Sequence, residues 1–253
     1  MQASELFNQP NTILLDGGMG TMLQAAGMKL GTRPEDLNLE NPELIRSIHA
    51  KYAAAGSRIV NANTFGASPH KLADSKYTLE EVITAGIANC KQAVAPYGAL
   101  VTLDVGPLGE LLEPSGTLAF EDAVAEYGRI VRAGVAAGAD ILYFETFTDL
   151  YEMKAALLAA KENSTLPIMA SMSFEANGRT FTGCTVESFA ATVRGLGANA
   201  VGINCSLGPK EIFPMAKRLA EAVPGDFPVF VKPNAGLPLS LIHISEPTRL
   251  GMI

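Results

Sequence analysis

At its centre the chain reads Asp140-Ile141-Leu142-Tyr143-Phe144-Glu145, a short apolar run that ends on a carboxylate. Such a run, bounded by turn residues, is typical of a strand that is buried on both faces. Gly138 precedes it, and helical patterns flank it on both sides. The run therefore predicts one parallel strand in a chain of alternating strands and helices.

The same alternation extends outward in both directions. Strands are predicted at seven runs: Thr12–Asp16, Arg58–Asn61, Leu100–Asp104, Asp140–Glu145, Pro167–Ser173, Asn199–Asn204 and Pro228–Lys232. Helices are predicted between them at Pro42–Ala55, Thr78–Ala95, Phe120–Ala137, Leu150–Glu162, Val186–Leu196 and Pro209–Ala222. This pattern leaves two architectures, a doubly wound sheet and a (β/α)₈ barrel.

A polar side chain stands at or just past the end of nearly every predicted strand: Asp16, Asn61, Asp104, Glu145, Asn204 and Asn234. A doubly wound sheet gathers its ligand at one switch point and does not need this pattern. A barrel draws its site from the C-terminal ends of many strands. The sequence therefore predicts an α/β fold, a (β/α)₈ barrel of the TIM type, which is incomplete because about seven βα units are present.

Composition excludes several classes of protein. With 253 residues, 48% of them hydrophobic, the chain can bury a sizeable core. Its 26 acidic and 19 basic residues, with no basic run, argue against nucleic-acid binding. Three cysteines, Cys90, Cys184 and Cys205, cannot all pair in a disulfide framework. We find neither an 18-residue apolar run nor a signal-peptide pattern, and we expect a cytoplasmic protein with no membrane partner.

A glycine-rich turn, Asp16-Gly17-Gly18-Met19-Gly20-Thr21, follows the first predicted strand. Glycines at this density let the backbone turn tightly and present its N–H groups to an anion. The spacing is neither that of a P-loop nor that of a dinucleotide fingerprint. The turn therefore favours a small carboxylate as ligand. The alternative is an ordinary βα connection that binds no ligand.

Three other strand ends carry candidate site residues. Glu145 ends a strongly apolar strand, where an unpaired charge is costly, so we expect a cationic partner, and a ligand ammonium would serve. Asn61 and Asn63 follow the second strand, and buried amides ordinarily satisfy backbone groups. Cys205 closes the sixth strand, a position that favours function over the usual role of a small buried hydrophobe. Cys184 lies on the loop after the fifth strand.

Taken together, six motifs resemble the homocysteine S-methyltransferase family in their order: Asp16–Thr21, Asn63-Thr64-Phe65-Gly66, Asp104-Val105-Gly106-Pro107, Glu145-Thr146, Gly202-Ile203-Asn204-Cys205-Ser206-Leu207-Gly208-Pro209 and Pro233-Asn234-Ala235-Gly236. The resemblance covers roughly residues 10–238. The last two motifs favour the branch of cobalamin-dependent methionine synthases, specifically their N-terminal homocysteine-binding module, over the betaine- and S-methylmethionine-dependent enzymes.

The resemblance implies a barrel that holds Zn²⁺ at its C-terminal mouth through three thiolates, of which Cys205 matches the first and is catalytic. It implies that Asn234 lies beside the metal and that a further set of residues binds homocysteine: Asp16, Gly18, Gly20, Thr21, Asn63, Glu145 and Asn204. Zinc with an open position would deprotonate the homocysteine thiol, which then accepts a methyl group. The implied donor is methylcobalamin, and the implied partners are the folate and cobalamin modules of a full-length enzyme.

After Pro238 the chain departs from the family. The other two thiolates of the family form an adjacent pair near the end of the barrel, and no cysteine follows Cys205 here. Residues 239–249 resemble one translated frame of a transposase-type sequencing adapter. We therefore expect residues 1–238 to be a homocysteine-binding barrel domain truncated before its last strand, and residues 239–253 to be a non-native tail. A divergent C-terminus is the alternative.

Other functions stay open at this point. The methyl donor could be S-methylmethionine or betaine in place of methylcobalamin. An aldolase or lyase barrel would need a Schiff-base lysine at a strand end, and Lys232 is the only candidate. A non-catalytic barrel that binds an amino acid would need no metal at all.

Overall fold

The computed structural model describes residues 7, 11–29, 31–205 and 207–235. These residues form one sheet of six parallel strands, paired in chain order: β1 (Ile59–Asn61), β2 (Leu100–Val105), β3 (Ile141–Phe147), β4 (Ile168–Met172), β5 (Ala200–Asn204) and β6 (Val229–Lys232). The expected tail at residues 239–253, with its boundary at Pro238, lies outside the described residues.

Helices alternate with these strands: α1 (Met19–Ala25), α2 (Leu37–Glu40), α3 (Pro42–Ala54), α4 (Leu79–Val94), α5 (Phe120–Ala136), α6 (Leu150–Asn163), α7 (Val186–Gly195) and α8 (Pro209–Glu221). Short 3-10 turns occur at Pro34–Asp36 and Ala95–Tyr97. Each of the six predicted helices is confirmed to within one residue at either end, whereas α1 and α2 were not predicted. Across the described ranges, no helix has the length and apolar character that a membrane crossing requires.

Local sequence explains where the helices begin and end. The Asn41 side chain accepts a hydrogen bond from the Leu44 N–H at 3.3 Å, and Pro42 occupies the first helical position of α3. Thr78 and Glu81 form a reciprocal capping box at the start of α4. Gly138, just past α5, has a φ of 86°, which glycine adopts without steric cost.

The connections give the sheet the curvature of a barrel. Parallel strands require crossovers, and α4 to α8 supply one between each pair of successive strands. The sheet curls far enough that Lys232, in the last described strand, reaches Asp16 near the start of the chain, with 3.3 Å between Nζ and Oδ1. These observations confirm the predicted TIM-type barrel, which is incomplete within the described residues.

The first predicted strand, Thr12–Asp16, forms only in part. Leu15 makes an isolated parallel bridge to Ile59, and the Arg58 N–H donates to the Leu14 carbonyl at 2.9 Å. Leu14 is 55% exposed, so the outer side of this segment lacks the packing that a longer strand would have. The described sheet therefore has six strands where the sequence predicts seven.

Both faces of β2 to β5 are largely buried, as in other parallel sheets, whereas β6 at the edge is only partly buried. On the outer face, strand residues such as Leu142 and Phe144 belong to the large core shared with the helices. On the inner face, a smaller cluster fills the barrel: Ile59, Ile141, Tyr143, Met169 and Ala200. Phe7 and Phe230 pack against this inner cluster.

A buried histidine lies outside both of these cores. His49, in α3, is 0% exposed, and among the described residues neither of its ring nitrogens has a hydrogen-bond partner. Burial lowers the pKa of His49 from 6.5 to about 4. The folded state therefore keeps this ring neutral over a pH range in which an unfolded chain would protonate it.

This difference predicts a pH dependence of stability. The unfolded state takes up a proton on His49 near pH 6.5 and the folded state only near pH 4. The free energy of unfolding should therefore fall as the pH drops through this interval, by up to roughly 3 kcal/mol. Urea unfolding at a series of pH values should show a flatter dependence for His49→Leu, whereas Ile48→Val, which changes a buried neighbour that carries no titratable group, should retain the wild-type slope. An unchanged slope in His49→Leu would contradict this account.

Candidate functional site

A cavity of about 1030 Å³ extends from the C-terminal ends of the strands along the inner face of the sheet. Eight of the nine predicted site residues line it: Asp16, Gly18, Gly20, Asn63, Glu145, Asn204, Cys205 and Asn234. Thr21 does not, and its hydroxyl instead donates to the Gly18 carbonyl at 3.2 Å. The barrel topology thus brings together residues that lie far apart in the sequence.

An ion cluster occupies the centre of this mouth. The Lys232 ammonium lies 3.3 Å from Asp16 Oδ1 and 3.5 Å from Glu145 Oε2. It also lies 5.4 Å from the centre of the Tyr143 ring. The cationic partner expected for Glu145 is therefore present within the chain itself.

The charge state of Lys232 bears on the Schiff-base alternative. Burial alone would lower its pKa, but the negative charges of Glu145, Asp16 and Asp104 outweigh burial and raise the pKa above its ordinary value. A Schiff base requires the neutral amine as nucleophile. This environment keeps Lys232 protonated and so disfavours an aldolase or lyase that would use it.

Acidic side chains outnumber the lysine. Asp16, Asp104 and Glu145 all line the cavity, and Lys232 is the one lysine among the described lining residues. Burial raises the pKa of Asp16. The charge of Lys232 and a hydrogen bond from the Asn61 N–H at 2.8 Å act in the opposite direction and lower this pKa. An excess of buried carboxylates over cations makes the mouth a favourable environment for a cationic group of a ligand.

The glycine turn is shaped by close packing. A Cβ at Gly17 would lie 2.8 Å from the Tyr52 ring, so a larger residue there would require the ring to move. The Tyr52 hydroxyl donates to the Gly18 carbonyl at 3.1 Å and holds the turn from below. Gly20 has open space around it on the cavity side. The turn is therefore open at Gly20.

Cys205 is held in an unusual conformation next to Thr146. The φ angles of these two residues are 59° and 64°, a region that non-glycine residues occupy at a cost of about 1–3 kcal/mol each. The Thr146 hydroxyl and Cys205 Sγ are 3.7 Å apart. The Cys205 N–H donates to the Lys232 carbonyl at 3.0 Å, which ties the thiol-bearing turn to the ion cluster.

Asn204 connects these two strained residues. Its Nδ2 donates to Thr146 Oγ1 at 2.7 Å and to Cys205 Sγ at 3.4 Å. Its Oδ1 accepts from the Thr146 N–H at 3.0 Å and from Ser171 Oγ at 2.8 Å. With 1% exposure, this amide has its hydrogen-bonding groups committed to the protein. The structure thus gives Asn204 the geometry of a residue that positions Cys205.

The side-chain amide of Asn63, like that of Asn204, is hydrogen-bonded within the protein. Its Nδ2 donates to the Pro34 carbonyl at 2.7 Å and to Asn38 Oδ1 at 3.0 Å. In the same region Glu35 Oε1 accepts from the Gly66 N–H at 2.7 Å. These bonds fix the loop after β1 against the segment that begins at Pro34. Glu35 also lines the cavity, although no pattern in the chain predicts it as a site residue.

The other cysteines lie away from the mouth. Cys90 is fully buried in the outer core, and Cys184 donates to the Thr185 carbonyl at 3.3 Å without lining the cavity. The Asn234 N–H donates to the Leu207 carbonyl at 2.9 Å, which places the 233–235 loop beside the Cys205 turn. Within the part of the chain that the structure describes, no three His, Cys, Asp or Glu side chains form a metal-binding group.

Comparison with known proteins agrees with this architecture. The profile of the homocysteine S-methyltransferase family matches residues 13–249. The homocysteine methyltransferase MmuM from Escherichia coli, in its metallated form, is similar in structure, with a TM-score of 0.81 and 25% sequence identity. That superposition covers 92% of this chain and 87% of MmuM.

Two curated relatives are methionine synthases, from Mycobacterium tuberculosis (strain ATCC 25618 / H37Rv) and Mycobacterium leprae (strain TN). Each is 30% identical to this chain, over 242 and 243 residues respectively. The alignments cover 88% of this chain but 20% of either synthase. The chain therefore spans about a fifth of the length of the curated relatives that it matches.

The Asn204 network predicts a large effect on stability. Asn204→Leu should leave the Thr146 N–H and Ser171 hydroxyl without their partner and should lower the free energy of unfolding by about 3 kcal/mol, as measured by urea unfolding. Asn199→Ala is a matched control, because it removes a single bond to the Ile168 N–H at the other end of β4, worth about 1 kcal/mol. Equal losses in both variants would contradict the positioning role of Asn204.

Proposed function

The chain belongs to the homocysteine S-methyltransferase family, and we propose that its barrel mouth binds homocysteine as the acceptor of a methyl group. The observation that carries this proposal is the arrangement around the mouth. An excess of carboxylates suits the ammonium group of an amino acid, and the glycine turn suits its carboxylate. The Cys205 thiol stands in the same cavity, where a sulfur-containing side chain would meet it.

Several predicted contacts form part of this proposal. Asp16 and Glu145 would contribute negative charge for the amino-acid end, and the backbone at Gly18 and Gly20 would face its carboxylate. Asn63 and Asn204 would act by holding loops and by holding Cys205, because their amides are already engaged by the protein. Transfer would form a bond from the homocysteine sulfur to the methyl carbon as the donor releases it, with loss of the thiol proton.

The proposed donor is methylcobalamin, as in the cobalamin-dependent branch. Support comes from the two methionine synthases, which are 30% identical to this chain. Because the chain covers 20% of their length, the folate and cobalamin modules enter only as proposed partners. Betaine and S-methylmethionine are the alternative donors, and a transfer assay with each of the three would distinguish them.

Zinc is implied by the family resemblance, and the described residues do not by themselves fit it. Catalytic zinc is ordinarily held by three protein ligands. Cys205 is a single thiol at the mouth, and Asn234 offers at most a neutral oxygen, which is a weak ligand for zinc. We therefore assign no step to the metal on the residues present.

This mismatch predicts the metal content of the 253-residue chain. Purified without added metal, the chain should contain far less than one zinc per molecule and should not methylate homocysteine, because one thiolate cannot replace three. Elemental analysis by mass spectrometry measures the zinc content directly. Stoichiometric zinc that disappears in Cys205→Ser but persists in Cys184→Ser would show that another ligand set exists and would contradict this prediction.

Substrate binding can be tested apart from catalysis. Calorimetry of the chain with L-homocysteine should give saturable binding, and Glu145→Gln should weaken it about 10-fold because a charge-assisted contact is lost. Glu162→Gln, on the exposed face of α6, is the matched control and should bind like the wild type. Absence of homocysteine binding by a folded wild-type chain would contradict the proposed function. Equal affinity for homocysteine and L-serine would favour a non-catalytic amino-acid-binding barrel.

A further inference from the structure

The loop after β1 forms one wall of the mouth, and a buried asparagine outside the cavity holds it. Asn63 and Phe65 of this loop line the cavity. Asn38, in α2, donates from Nδ2 to the Asn63 carbonyl at 2.8 Å, and its Oδ1 accepts from Asn63 Nδ2 at 3.0 Å. Asn38 is 2% exposed and does not line the cavity. Its link to the mouth therefore runs through Asn63.

Asn38 is itself fixed from the long helix α4. Its Nδ2 also donates to the Val82 carbonyl at 3.2 Å, and its main-chain carbonyl accepts from Asn89 Nδ2 at 2.9 Å. Asn89 Oδ1 in turn accepts from Arg46 Nη1 at 3.0 Å. Both acceptors of Asn38 Nδ2 are carbonyl oxygens, so one orientation of this amide satisfies them and the flipped one does not. The side chain that holds the loop is thus held in place before any ligand binds.

Close packing against α4 leaves this asparagine little room to move. A Cβ on Gly86 would lie 2.8 Å from Asn38 Nδ2 and 2.9 Å from Thr64 Cγ2. Glycine in the middle of a helix costs stability relative to alanine. The glycine therefore lets α4 approach Asn38 and the loop after β1 more closely than another residue would.

The loop carries the connection onward to the end of β2. The Thr64 hydroxyl donates to the Asp104 carbonyl at 2.8 Å and accepts from the Asp104 N–H at 3.1 Å. Thr64 is 1% exposed, so these bonds are shielded from water. A continuous path of buried contacts thus runs from α4 through Asn38 and the loop to a second wall of the mouth.

We propose that Asn38 is a positioning residue, which holds the loop after β1 in the conformation that binds homocysteine. This inference rests on the proposed function. A binding site gains affinity when the groups around it are already held in the bound geometry. Asn38 supplies this support to the Asn63 main chain and side chain at once, from a position that the ligand itself does not reach.

Asn38→Ala tests this role by removing the side-chain bonds to the loop. Calorimetry should show about 10-fold weaker binding of L-homocysteine, because the loop is no longer held in one place. Hydrogen exchange without ligand, measured by mass spectrometry, should rise more in residues 62–66 than in α5 or α7. A merely structural role would raise exchange across the whole chain in proportion to the lost stability.

Asn89→Ala is the matched control for a lost buried amide. Asn89 is 6% exposed and belongs to the same set of bonds, but its Nδ2 reaches the main chain of Asn38 and not the loop. The variant should lose stability in urea unfolding, because it leaves a buried carbonyl without this donor. Its affinity for homocysteine should stay within about 2-fold of the wild type, because the Asn38 side chain keeps its bonds to Asn63.

Gly86→Ala tests the same role without deleting a hydrogen-bonding group, and it serves if Asn38→Ala does not fold. The added methyl group must displace Asn38 or Thr64, so homocysteine affinity should fall about 3- to 10-fold. Gly128→Ala, in α5, is its control. A Cβ there would lie 3.1 Å from the nearest atom, the end of the Arg132 side chain, and the variant should bind like the wild type.

Two results would overturn the inference. Wild-type affinity for homocysteine in folded Asn38→Ala, or in Gly86→Ala if the former does not fold, would show that the loop needs no such support. Equal losses of affinity in Asn38→Ala and Asn89→Ala would show that general stability, and not the position of the loop, sets the affinity. If the wild type itself does not bind homocysteine, the proposed function fails and this inference fails with it, whereas failure confined to the variants leaves the proposed function intact.

Discussion

The contact between Lys232 and its two carboxylates is the interaction on which the site depends. It joins the last described strand to β3 through Glu145 and to the start of the chain through Asp16. Its members are mostly buried, with side-chain exposures of 18% for Lys232 and 5% for Asp16. Removal of one member would leave the others as uncompensated charges, which is costly in such an environment. The same few atoms thus link the two ends of the curled sheet and contribute to the charge of the mouth.

Much of the fold could be predicted from local patterns. Apolar runs bounded by turn residues located β1 to β6, and caps such as Asn41 and Thr78 located the helices. The polar side chains at the ends of the predicted strands also located the mouth, because parallel strands that follow one another in a curled sheet end on the same edge. The N-terminal segment was less predictable, since an apolar run such as Thr12–Asp16 does not reveal that it pairs through a single bridge.

The chemistry of the site was harder to predict because it depends on distances between elements. The sequence shows Glu145 as a carboxylate in need of a cation, yet only the fold shows that Lys232, 87 residues later, supplies one. The same holds for Asn204, whose amide is taken up by Thr146 and Ser171 instead of facing the cavity freely. The lack of a hydrogen-bond partner for Asp104 Oδ1 among the described residues likewise depends on the surrounding fold, and no sequence pattern predicts it.

The strict correspondence between strand order and chain order has a consequence for biosynthesis. As the chain leaves the ribosome, each new strand and helix can pack at once on the unit made just before it, without waiting for later segments. The contact between Lys232 and Asp16 is an exception, because it spans 216 positions. The mouth is therefore completed only when the sixth strand has emerged, so a nascent chain would acquire its ligand site in one late step after most of its core has formed.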